Sequence, residues 1–344
     1  MLKVLDLNKI KTLKRMKAYP KLLLFFTLLL MATLPFQSCE NEKDIDLSTI
    51  EVETDIKRFD RAFFTMDTLN FSQNLAALEQ DFPPFFSAKT EEIFWRNQRE
   101  DELQLKLFKQ TEKLFGDMEK EQAELNRIFK RFYYYFGQDK QFQVYSYISR
   151  LDYEYPIIVA PPYCFIGLDM YLGENNDYYA SLPNYLQFKR QPQFLLRDVA
   201  FALAENTFGL QVDENKLLDA MIYHGKLLYV TDQLCPFLRQ DELLVYPPKK
   251  MAFCEEHERN MWIYFIENGV LFKSDAELQR RFIDVAPFSK FRTDTDPQTP
   301  GGVGRWFGYN IVSAYMEENP ELSLKQLLEE KDAAKILKLS NYKP

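Results

Sequence analysis

The sequence predicts an α+β fold: a mostly helical single domain with a small, partly antiparallel sheet in its middle. Three observations carry this. Amphipathic runs at helical spacing fill both ends of the chain, while residues 143–170 switch to short runs rich in Val, Ile, Tyr and Phe. With 46% hydrophobic and 15% aromatic residues over 344 positions, there is also enough apolar material for one large core. Thirty Phe and twenty Tyr beside eleven Gly argue against disorder.

The elements follow in order. In EVETDIKRFDRAFF, residues 51–64, the alternation of Val52, Thr54 and Ile56 predicts an edge strand running into a helix start. A short helix over 71–78 is broken by FPPFFS, and helical segments cover about 90–115. In KEQAELNRIFKRFYYYFG, residues 120–137, Leu125, Ile128, Phe129 and Phe132 share one helix face, and Gly137 supplies the stop. Strands are expected at 143–149, 156–160 and 165–170. Helices then follow Pro192, run from Asp213 to Leu234, and span Lys249 to Gly269. The last two are expected at Gly304–Glu317 and Ser323–Leu337, with Ser323 as N-cap behind the Asn319-Pro320 break.

The amino terminus is of another kind. Seven basic residues opposed only by Asp6 precede LLLFFTLLLMATL, thirteen uncharged residues, too short to span a bilayer and suited to a signal-peptide core. Ser38 stands directly before Cys39 in a lipobox-like arrangement, so Cys39 is expected to be lipidated. Residues 1–38 then form a lipoprotein signal peptide, 39–50 a polar tether and 51–344 the folded domain. Met16 is an alternative start. The leader carries a net +6, so the whole-chain −8 leaves −14 on residues 39–344. So acidic a body argues against nucleic acid as a partner. Cys164, Cys235 and Cys254 show no metal-ligand spacing and are expected as small buried hydrophobes, with a Cys235–Cys254 pair as the alternative.

Candidate chemistry is sparse. A zinc peptidase needs two histidines one helical turn apart in HExxH, so that both imidazoles reach one ion. Only His224 and His257 occur, thirty-three residues apart, and the helix after Pro192 offers Asp198 and Glu205 without an imidazole. No GxSxG or recognisable Cys–His pairing is present. His224 is expected as a partly buried hydrogen-bonding side chain, and Glu255, Glu256 and Glu258 as a solvated face around His257. Asp169, ending a strand, is a polar-site candidate. PGGVGRWFGYNIVSAYM, residues 300–316, lacks the preceding strand and third glycine of a dinucleotide loop and the lysine of a P-loop. Positive φ at Gly301 and Gly302 is expected there. Close approach is expected at Gly304 and Gly308, an Arg305 guanidinium among carboxylates, and Trp306 in the core.

Together DIKRFD (55–60), VYSYIS (144–149), FIGLDMYLG (165–173), DAMIYHGKLLY (219–229) and GRWFGYNIVSAYM (304–316) resemble the gliding-motility-associated lipoprotein GldB family of the Bacteroidota. The resemblance implies a lipid-anchored envelope protein facing the periplasm, with the outer membrane favoured. It implies work in gliding motility and the associated type IX secretion machinery through envelope protein partners. That family looks distantly similar to predicted zinc peptidases, which implies a zincin-like layout with His224-Gly225 standing where Glu-Gly is expected. No catalytic residue carries over, and no metal or cofactor is expected. The candidate residues are the lipidated Cys39 and, for a binding role, Gly302, Gly304, Arg305, Trp306, Asp169 and His224. The runner-up reading is a residual hydrolase, or a peptide- or glycan-binding domain, using a cleft between the sheet and the helix 195–208.

Overall fold

Alternation along the strands divides the molecule into two cores. The computed structural model describes residues 45–86, 88, 90–137, 141–209 and 216–344. The expected leader and Cys39 lie outside the described residues. Strands β1 (Ile56–Arg58), β2 (Gln143–Tyr147), β3 (Ile157–Ala160) and β4 (Tyr163–Gly167) form one sheet in the order β1-β2-β4-β3. The first three neighbours run parallel, and β3 pairs antiparallel with β4 as an edge. Val144, Cys164 and Ile166 point to the larger core, while Tyr145 and Phe165 point to a second cluster built almost wholly from aromatic rings. There Tyr145 and Phe165 stack at 5.7 Å, and Phe85 meets both edge-on at 5.8 and 5.4 Å.

The aromatic side is covered by α1 (Phe59–Thr65), α2 (Phe71–Asp81), α3 (Glu92–Glu100) and α4 (Glu102–Phe115), with α5 (Glu119–Phe136) passing to the larger core. Gly137, at φ 91, ends α5 as expected. The strand expected over 165–170 stops at Gly167, and Leu168–Met170 is a 3-10 turn. The cause is Asp169, whose carboxylate takes the amides of Ser149 and Leu151, both at 2.7 Å, and turns the chain out of the sheet.

The carboxyl-terminal half holds α6 (Asn184–Gln187), α7 (Leu195–Phe208), α8 (Leu217–Leu234), α9 (Gln240–Leu244), α10 (Pro248–Glu267), α11 (Ala276–Phe282), α12 (Val303–Glu318), α13 (Leu324–Glu329) and α14 (Ala333–Leu339). The short helices α9 and α11 lack enough apolar periodicity to stand out in the sequence; the Asp275 carboxylate caps α11. The single helix expected from Ser323 is two. Asp332 caps α14 by accepting from Lys335 N at 2.9 Å, and the Lys226 ammonium holds the Glu330 carbonyl at the break. Ser323 does cap α13, in a capping box with Gln326.

Fifteen of the eighteen residues of α8 are buried, which makes it the central post of the larger core. Helix α12 crosses it backbone to backbone. A Cβ on Gly308 would lie 1.7 Å from the Met221 carbonyl oxygen, and one on Gly225 would lie 2.2 Å from that of Gly308. Only glycine fits at either position. Gly304 faces Ile283 and Phe282 in the same way, at 2.8 and 2.9 Å. Of the two glycines expected at positive φ, only Gly302 (φ 69) has it. Gly301 is required by close approach, since its Cβ would sit 1.9 Å from the Ala286 carbonyl.

Candidate functional site

Helix α7 lies beside the edge strand β3, and Asn206 Nδ2 donates to the Val159 carbonyl at 3.2 Å to hold the two together. The chain preceding β3, the first turns of α7, His224 of α8, the 244–246 segment and Arg305 of α12 enclose a cleft of about 380 Å³. This is the sheet–helix cleft expected from the sequence. A wider depression of about 920 Å³ lies over Lys226. Its buried ammonium is already bonded to the Glu330 carbonyl, so the smaller cleft holds the more unusual chemistry.

Four cations converge on the cleft. Arg197 and Asp198 form an ion pair at 3.0 Å; the Arg197 Nε donates to Leu243 O at 2.8 Å, and its guanidinium covers Phe201 at 4.5 Å. Tyr171 donates to the other Asp198 oxygen at 2.9 Å. Both members of that pair are therefore satisfied. The rest are not. Lys189 hydrogen-bonds to none of the described residues, and burial, then the charges of Arg305 and Arg197, pushes its ammonium down to about 7. Arg190 is 6% exposed with an unpartnered Nε. Arg305 donates Nε to Ile283 O at 2.7 Å, its one hydrogen bond to a described residue, and burial lowers its guanidinium from the usual value. His224 Nδ1 is buried without a partner. Burial first and the Arg305 charge second hold that imidazole well below its ordinary range, so it is neutral at pH 7.

The sequence-derived candidates separate accordingly. Arg305 and His224 meet at the cleft. Arg305 was expected among carboxylates; Glu205 and Asp284 do act on it through space but neither pairs with it, and Lys189, Arg197 and His224 share its cleft, because the loop after α6 brings basic residues there. His224 was expected to be hydrogen-bonded and lacks a partner at Nδ1. Trp306 is 2% exposed in the core, and Gly302 and Gly304 set the path of the chain that delivers Arg305. Asp169 is fully buried at its turn and does not line the cleft. Of the acidic run on α10, Glu258 is not simply solvated: it accepts from Tyr342 Oη at 2.5 Å and from Asn310 at 3.1 Å, tying down the carboxyl terminus. Cys164, Cys235 and Cys254 are free and buried, without a Cys235–Cys254 pair. Sequence reasoning passed over Lys189, Arg190 and Arg197. The available signal was three basic residues within nine positions of an otherwise acidic chain.

A sequence model of the family described as "Gliding motility protein GldB" matches residues 40–344. The chain belongs to the GldB family. It is thereby a gliding-motility lipoprotein, anchored to a membrane of the envelope. Among the described residues no helix is long and apolar enough to cross a membrane. No curated protein and no solved structure matches the chain. The GldB-family match spans all of the described residues, so the basic cleft lies within the family's own domain.

The zinc suggested by the more distant resemblance does not fit this GldB-family cleft. Tetrahedral zinc needs three protein donors, and among the described residues no group of three or more His, Cys, Asp and Glu side chains is placed to hold an ion. The cleft face of α7 presents a guanidinium and a phenyl ring one turn apart at Arg197 and Phe201, with Asp198 between them already tied to Arg197 and Tyr171. The neighbouring ammonium and guanidinium groups would repel a dication.

Proposed function

We propose that this GldB-family chain is a non-enzymatic envelope lipoprotein that supports gliding, and the associated type IX secretion machinery, through contacts with envelope proteins. Lipid on Cys39 holds it at the membrane, facing the periplasm and most simply on the outer membrane. The observation that carries the non-enzymatic reading is the cleft floor. A hydrolase would need there a metal-bound water or an activated nucleophile with a free base. Instead Asp198 is neutralised by Arg197, the other two lining carboxylates, Glu154 and Glu205, are exposed, the imidazole is uncharged and lacks a partner at Nδ1, and Lys189 and Arg305 line the cavity. An antiparallel edge strand beside α7, followed by α8, also agrees with a degenerate zinc-peptidase-like layout turned to binding.

Full-length chain extracted from its own membranes tests this. Elemental analysis is expected to find no stoichiometric zinc, and casein-type substrates to remain uncut; zinc retained at nanomolar affinity would overturn the reading. In cells, Arg305→Ala at wild-type abundance is expected to abolish gliding, and Cys39→Ala to release the protein from the membrane fraction. Full gliding with Arg305→Ala would remove the cleft from the function.

A further inference from the structure

We infer that the cleft captures the free carboxyl terminus of an extended polypeptide, its carboxylate on the Arg305–Lys189–His224 floor and its last backbone groups along strand β3. This deepens the binding role proposed above by naming what is bound.

Three independent features converge. The first is a set of polar atoms without partners. The Arg190 Nε and His224 Nδ1 are buried and unpartnered, and the half-buried Lys189 beside them hydrogen-bonds to none of the described residues. Buried polar groups are satisfied in nearly all native structures, so a cluster of orphans around one cavity marks a missing acceptor. Asp198 is taken by Arg197 and Tyr171, and the other two lining carboxylates, Glu154 and Glu205, are exposed, so four cations stand against three anions with the excess at the buried end, and the missing acceptor is an anion. Arg305 lines the cavity with only its Nε engaged, and such a guanidinium matches a planar carboxylate by a paired hydrogen bond.

The second is the sheet edge. The Pro156 carbonyl accepts from Gly167 N at 2.9 Å, making that pair the bonded rung between β3 and β4. By the alternation of an antiparallel ladder, Ile157 then turns its N–H and C=O outward, on the side where Val159 O meets Asn206 of α7. Ile157 lines the cleft. A peptide backbone uses that open rung, whereas a bare phosphate does not. The third is the wall. Phe201, Leu228 and Leu244 supply an apolar side next to the cations, and about 380 Å³ accommodates the last few residues of a chain rather than a folded surface.

The test is fluorescence polarisation on the detergent-solubilised full chain, with labelled pentapeptides ending in apolar residues, as free acids and as C-terminal amides. The free acids are expected to bind at least about tenfold more tightly, a difference of about 1.4 kcal/mol. Lys189→Met removes an unpaired buried charge and is expected to fold at least as well, yet to erase most of that preference. Equal affinity of acid and amide, or no binding of either at millimolar peptide, would overturn the inference. So would displacement of the acid peptide by inorganic phosphate or phosphatidylglycerol vesicles at concentrations where acetate has no effect, which would assign the floor to a phosphoryl group. Mass spectrometry of the recovered peptide separates the two proposals. Cleavage sinks the non-enzymatic reading, while intact but carboxylate-indifferent binding sinks only this one.

Discussion

Two regions bury arginine, and they treat it in opposite ways. Next to the aromatic core, Arg58 reaches both Asp60 oxygens and Glu112, with contacts of 2.6 to 3.2 Å, while Arg61 shares Glu112 and both guanidiniums hold the Gly116 carbonyl. Asp60, fully buried, takes Ser146 Oγ at 2.6 Å as well. Every charge there has its opposite. In the cleft, Arg305 and Lys189 form no ion pair with a described residue and feel Glu205, Asp284 and Asp198 only through space. Ionic groups removed from water persist only with compensation, so the first cluster is architecture that links β1, α1, α4 and β2. The second is an open valence. The difference teaches that the sign of a mutational effect, more than the residue type, tells scaffold from site.

That contrast can be broken by substitution. The largest effect is expected for Asp60→Asn, which takes the buried carboxylate from Arg58 and leaves it only the more exposed Glu112 as a charge partner. A loss of about 3 to 5 kcal/mol is expected, read by chemical denaturation; a change below about 1 kcal/mol would mean that the paired cluster is not structural. Lys189→Met should move the other way. Its folded ammonium titrates near 7, against an unfolded value of 10.5. Between those limits the unfolded chain holds a proton that the folded one lacks, so stability rises as pH increases from about 7 to 10.5. The variant is expected to be more stable than wild type at pH 7, on the order of 3 kcal/mol after allowing for access through the cleft, and to lose that part of the slope. Parallel curves for the two proteins would refute it. Tyr171→Phe sharpens the comparison by removing one of the two supports of Asp198; about 1 kcal/mol is expected from thermal melts, with the carboxylate freed to compete for Arg305. Smallest of all, Arg239→Ala removes exposed contacts to Asp241 and Glu242 and should leave the melting temperature unchanged.

Much of the scaffold was legible in the sequence. Period-2 and period-3.6 patterns gave the sheet and the long helices, because those signals come from burial on one face. The short capped helices α9 and α11 and the break before α14 were not, since a side chain bonding to a nearby or distant backbone group sets them. The candidate site was half legible. Glycines around Arg305 drew attention to the right segment, and Gly225 and Gly308 mark where α8 and α12 touch. The partners of Arg305 lie over a hundred residues away in sequence, however, at Lys189 and Arg197. Nothing in local spacing tells whether a basic residue faces a carboxylate or another cation. That depends on which loop the fold lays over the cleft.

The acidic body has a consequence for kinetics. Residues 39–344 carry a net charge of about −14, yet the recess between β3 and α7 is lined with cations. An approaching anion first meets a repulsive far field and only within a Debye length, about 8 Å at physiological ionic strength, the attraction of the floor. With the carboxyl-terminal ligand inferred above, this charge pattern amounts to a sieve. Highly acidic chains are turned away at a distance, while a nearly neutral segment with a single charge at its tip passes. Added salt is expected to speed arrival and hasten departure together, leaving equilibrium occupancy far less salt-sensitive than either rate.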